Sequence, residues 1–188
     1  MGLYISSLQH IPENANRNYF IYLLDYGWNE PLIEALEKNY DRMAQFAAEN
    51  NAVVIKGTRK VHFEDEVLSW HNINGENAEK ILPAILITNR HPAKFKESFG
   101  TNRSEEIEND LKMILIPLKK FCQTTTDVTE LISKLFNDIR QQKDLNDFKI
   151  AKEVKKGFGK ALADSLILEP NFNGLGIDFK KIIEYFKK

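Results

Sequence analysis

Three histidines and a run of acids are the side chains of this sequence best suited to chemistry: His62, His71 and His91, with Glu64, Asp65 and Glu66. Imidazole and carboxylate are donors that zinc accepts, and a carboxylate in a cleft can serve as a general base. Their spacing fits no metal-ligand pattern, and consecutive acids read as a solvated loop, so no metal and no cofactor is expected. Cys122 is the single cysteine and cannot form an internal disulfide, a zinc knuckle or a Cys-x-x-Cys pair. Lys119 and Lys120 beside it would favour a thiolate, whereas a lone cysteine after an apolar run reads as a small buried hydrophobe. Gly157-Phe158-Gly159-Lys160-Ala161 has part of a phosphate loop, but Val154 stands where glycine is required and Ala161 where Ser or Thr is required. No Gly-x-Ser-x-Gly elbow occurs.

The chain that must position these groups has 188 residues, 43% of them hydrophobic, which suffices for a real core and argues against disorder. Its 26 basic and 27 acidic residues nearly cancel, so no nucleic acid partner is expected. Residues 1–12 lack the basic region and apolar core of a signal peptide, and the apolar runs at 81–87 and 113–118 are far too short to span a bilayer. A cytoplasmic protein without a membrane partner is the expectation.

Hydrophobic patterning predicts an α/β fold. Residues 18–25 form an apolar, aromatic run that suits a buried strand, broken by Tyr26-Gly27. A helix begins near Pro31, with Ile33, Leu36, Tyr40, Met43 and Ala47 on one face, and ends at Asn50-Asn51. Residues 52–56 make a second strand, so a helical crossover joins a parallel pair. Residues 58–74 fit a helix, a strand pair or a loop; 76–80 look like a helical turn. Strands are expected at 81–88 and 113–121, the latter with Pro117 implying an edge or bulge. Ser104 would cap a short helix, and Thr126 or Asp127 a longer one over 128–140. Helix is expected again over 145–168, kinked at Gly157 and Gly159, and over 178–187.

Two short motifs in this pattern resemble the thioredoxin family. Trp28-Asn29-Glu30-Pro31-Leu32 follows the first core strand, where thioredoxins carry Trp-Cys-Gly-Pro-Cys. Ile81-Leu82-Pro83-Ala84 is similar to the family's Ile-Pro-Thr, whose proline is cis and faces the redox motif. The resemblance implies a thioredoxin-like three-layer β-α-β core over residues 1–142, with an insertion within 58–74. Residues 143–188 would be a mostly helical extension on the same core. It also implies a cis Leu82–Pro83 bond and a redox-inactive site, because Asn29 and Leu32 replace both cysteines. Trp28, Asn29, Pro31 and Pro83 would then be what remains of that site.

The C-terminal extension adds a second candidate surface. Six lysines against three acids over 143–160 give a local excess of +3, and Lys149, Lys152, Lys155, Lys156 and Lys160 make a basic helix face that is solvated or docks an acidic partner. Phe172 and Phe179 lie in a dense apolar stretch that either completes the core or binds a partner. The expected function is a non-catalytic protein-interaction or adaptor module. The alternatives are a small-ligand or peptide sensor, and an enzyme using the acids or histidines of 62–71.

Overall fold

Burial at all six positions of β2 (Tyr19–Leu24) explains why its sequence lacks alternation: a strand covered on both faces takes apolar side chains throughout. The computed structural model describes residues 1–27, 30–58, 62–71, 73–74, 81–97, 111–152, 167–168 and 177–178. After β2 comes α1 (Pro31–Glu49), with Pro31 in its first turn, where a missing N–H is harmless. Its buried face of Ile33, Ala35, Leu36, Tyr40, Met43 and Ala47 is the stripe that the periodicity predicts, with Ala35 added. Asn50 caps the helix end and Asn51 takes a positive φ of 51°, which turns the chain into β3 (Ala52–Gly57).

β3 runs parallel to β2, with Leu23 beside Lys56. On the other side of β3 lies β1 (Gly2–Ile5), also parallel, a strand that the sequence reading did not anticipate. Only Ile5 of its four residues is buried, so β1 carries little apolar signature. The segment left open between helix and strand is α2 (Phe63–Trp70), followed by the two-residue β4 (Ile73–Asn74). Leu82–Pro83 is cis, and β5 starts after it (Ala84–Thr88), not at residue 81. β5 lies antiparallel to β2; α3 (Pro92–Glu97) follows, and then β6 (Met113–Pro117), antiparallel to β5.

Several boundaries differ from expectation for local reasons. The strand expected to reach residue 121 ends at Pro117, and α4 (Leu118–Phe121) takes over there. The long helix α5 (Thr125–Arg140) is capped by Thr124 and not by Thr126 or Asp127. Asp127 is the reciprocal member of that capping box, accepting the backbone N–H of Thr124 at 2.8 Å. Ile167–Leu168, expected to be helical, forms β7 against Met113 and Ile114 of β6. Asp178, expected to open a helix, belongs with Ile177 to β8, parallel to β4. The turn at 76–80, the Ser104 helix, the glycine kink and residues 179–187 lie outside the described residues.

The main sheet is mixed, in the order β1-β3-β2-β5-β6-β7. Tyr19, Ile21 and Leu23 of β2 pack with α1 and α5 on one face; Phe20, Tyr22 and Leu24 pack with α2 and α3 on the other. Leu145, Phe148, Ile150 and Ala151 join the α1–α5 cluster. Among the described residues no helix is long and apolar enough to cross a membrane.

Candidate functional site

One end of the sheet gathers the groups that could act together. Leu24 at the end of β2 pairs with Ala84 at the start of β5, and Ala84 with Pro117 at the end of β6. α1 begins at the same end, so Pro31 and Pro83 belong to neighbouring elements there. The connection is bonded: Leu118 N–H donates to the Pro83 carbonyl at 2.8 Å, and the adjacent Lys119 Nζ reaches Glu30 Oε1 at 2.8 Å. Glu30 is the residue before Pro31 and caps α1 with extended backbone. Pro31 is exposed, and Pro83 is buried. Trp28 and Asn29 lie outside the described residues, as do Phe172 and Phe179.

Beneath that end sits a set of ionisable groups that the motif reading missed. Lys56 is only 8% exposed, yet its ammonium lies 2.7 Å from Glu37 Oε1 and 3.6 Å from Asp25 Oδ2. Asp25, equally buried, also accepts the Gly27 N–H at 2.7 Å, in a turn where Gly27 takes a φ of +73°. The available signal was a charge at the end of each of two apolar strands, a position where burial demands a partner. Glu64 of α2 is a further buried carboxyl. Burial lifts its pKa to about 7; its own and Asp25's backbone N–H groups oppose the rise, and the Asp25 and Asp65 charges add to it.

The remaining chemistry candidates separate. The three acids are not a solvated loop, because α2 turns them in different directions. Glu64 points inward, Asp65 is exposed 3.5 Å from the His62 ring, and Glu66 accepts from Ser7 Oγ at 2.7 Å and Leu8 N–H at 2.9 Å. His71 is fully buried between the rings of Tyr22 and Phe95. Its Nδ1 lies 2.7 Å from the Val67 carbonyl, and burial drives its pKa down to about 4, so it is neutral with the proton on Nδ1. His91 accepts the Ala93 N–H and stacks edgewise on Phe20. Among the described residues no three such donors converge as a metal site would need.

Cys122 is buried, and its thiol is pushed up to about 11 by burial and by the Asp127 charge. The neighbouring lysines do not make it a thiolate; Lys119 is committed to Glu30. On the basic segment, Lys143 pairs with Asp138 and Lys152 with Asp147 inside the chain, while Lys155, Lys156 and Lys160 lie outside the described residues. No family model, no curated protein and no solved structure matches this chain.

Proposed function

We propose that the chain is a non-catalytic protein-interaction module of the cytosol, built on a redox-inactive thioredoxin-like scaffold. Its contact site is the sheet end around Pro31 and Pro83, with Trp28 and Asn29 of the same sequence motif as candidate contact residues. The observation that carries this reading is the placement of Pro83, just before β5, at the sheet end where α1 begins, linked through the Leu118 N–H on the Pro83 carbonyl and Lys119 on Glu30. The succession β2, break, α1, β3, then α2, β4 and a strand preceded by proline supports it, being compatible with the order on which the thioredoxin resemblance rests. Thiol–disulfide exchange needs a thiolate and a resolving thiol; Asn29 and Leu32 supply neither, and Cys122 is buried and protonated. What a scaffold of this kind retains without cysteines is a surface.

The test is affinity purification of the intact chain from its native extract, with Trp28→Ala and Pro31→Arg as comparisons. A stoichiometric partner that both variants lose supports the reading. A clean monomer, or any turnover in an insulin-reduction assay, overturns it.

A second reading, acid–base chemistry at the same end, is favoured by Glu64, whose buried carboxyl feels Asp25 and titrates at about 7. Carbon-13 NMR of the Glu64 carboxyl across a metabolite panel separates the two. A midpoint displaced by one compound favours catalysis or sensing; a midpoint that no compound moves removes it.

A further inference from the structure

Between the second half of α1 and the C-terminal half of α5 lies a cleft of about 250 Å³. Arg42 and Phe46 line it from α1, and Ile132, Ser133, Phe136 and Arg140 from α5. Its base is aromatic, with the Phe46 and Phe136 rings 4.6 Å apart. The Arg140 guanidinium sits 5.0 Å from the Phe46 centroid. A cation over a ring face spends none of its N–H donors there, so the fork stays open to an acceptor. No carboxylate lines the cleft, and among the described residues neither arginine side chain has an ion-pair partner. Asp138, two residues before Arg140 on α5, is buried and engaged by the Lys143 ammonium and the Lys149 N–H.

We propose that this cleft docks an acidic peptide segment of a partner protein, one in which an apolar side chain lies between carboxylates. Charge complementarity selects the acids: guanidinium groups hold carboxylates bidentately, and two of them stand here without a counter-charge. The aromatic base selects the apolar residue between those acids. Size selects a peptide over a metabolite, since the cleft falls below the roughly 300–1,000 Å³ of ordinary small-molecule sites and suits one anchoring side chain. The site is independent of the sheet end, because Phe46 lies about 22 Å along α1 from Pro31 at 1.5 Å per residue.

Fluorescence anisotropy with the full chain tests the proposal, using a labelled Glu-Glu-Phe-Glu-Glu peptide. Gln-Gln-Phe-Gln-Gln and Glu-Glu-Ser-Glu-Glu are the comparison peptides. The acidic phenylalanine peptide is expected to bind best, at least about five-fold better than either, and to weaken in high salt. Arg42→Gln and Arg140→Gln should each weaken it by about three- to five-fold. Ser133→Glu, which adds a repelling carboxylate at an exposed position without removing core packing, should weaken it comparably. Equal affinity for the glutamine peptide, no response to Arg42→Gln and Ser133→Glu, or no binding at all would overturn it. So would preferential binding of free N-acetylphenylalanine, which would make the cleft a small-molecule site.

Discussion

The α1–α5 face of the sheet and the α2–α3 face both bury ionisable side chains, but they handle the charge in opposite ways. On the α1–α5 face, among the described residues, each buried charge has a partner: Lys56 lies against Glu37 and Asp25, and Asp138 holds the Lys143 ammonium and the Lys149 N–H. On the α2–α3 face Glu64 and His71 are buried with no opposite charge acting on them, and each shifts toward its neutral form. Long helices explain part of the difference. α1 and α5 have 19 and 16 residues, long enough to lay a charged edge beside a sheet end while burying a full apolar stripe. α2 has eight residues and buries four of them, Phe63, Glu64, Val67 and Leu68, so a carboxyl takes one of its few inward positions.

The sharpest way to break this contrast is to remove the partner on the paired face. Lys56→Met leaves the Asp25 carboxylate buried without its cation, and should cost about 3–5 kcal/mol, read as a lower urea midpoint. Adding Asp25→Asn should recover most of that loss, because Asn still accepts the Gly27 N–H and carries no charge. If the single variant is as stable as the parent, the paired face does not depend on pairing.

On the unpaired face the expected effects are pH slopes of opposite sign. Glu64 rises from 4.5 to about 7 in the folded protein, so its carboxyl is protonated there while the unfolded chain has released the proton. Its contribution is unfavourable in the charged form: stability falls as pH rises from 4.5 to 7, by up to about 3 kcal/mol, and levels off above. His71 falls from 6.5 to about 4, so the unfolded chain takes up a proton that the folded one refuses. Its contribution is full above 6.5 and is lost as pH falls toward 4, over a similar range of energy. Between about pH 4.5 and 6.5 the two slopes nearly cancel. Glu64→Gln should therefore expose a stability that rises with pH, and His71→Phe one that falls. Parallel profiles in both variants would sink the assignment.

How far the sequence predicts each face follows from the same difference. α1 was legible because Ile33, Leu36, Tyr40, Met43 and Ala47 repeat at helical steps over about four turns, and α5 because Val128, Leu131, Ile132, Leu135 and Ile139 do so over about three. α2 was ambiguous because eight residues give barely two turns, and its acids at 64–66 resemble a surface loop. Pro31 and Pro83 could be singled out as motif residues. Lys56 and Asp25 are marked in the sequence only as charges ending apolar strands; that they meet each other and Glu37 is a tertiary fact that no local spacing encodes. β1 was missed for the complementary reason, as an edge strand with one buried side chain leaves no pattern to read.

Packing gives a smaller test of the crowded face. A Cβ on Gly57 would lie 2.4 Å from Phe63 Cβ and 2.7 Å from its Cγ, so β3 and α2 approach as closely as they do only because residue 57 has no side chain. Gly57→Ala should force the start of α2 off the sheet and cost about 1–3 kcal/mol. The displacement should be visible as exchange broadening of the Glu64 and His71 resonances, while those of α5 stay sharp.

The smallest effect belongs to the exposed start of α5. Thr124 Oγ1 accepts the Asp127 N–H at 3.3 Å, and Asp127 Oδ2 accepts both the Gln123 and Thr124 N–H groups at 2.8 Å. Those two backbone donors hold the Asp127 carboxyl below the ordinary aspartate range, which ties the cap to its ionised form. Thr124→Ala removes one hydrogen bond and leaves the Asp127 pair, so the loss should be about 1 kcal/mol or less. Because a depressed carboxyl contributes above its unfolded pKa and loses that contribution as pH falls, the penalty of Asp127→Asn should shrink on acidification, whereas that of Thr124→Ala should persist. Thermal melts at neutral and acidic pH separate them, and equal shrinkage would mean that the two halves of the box act as one unit.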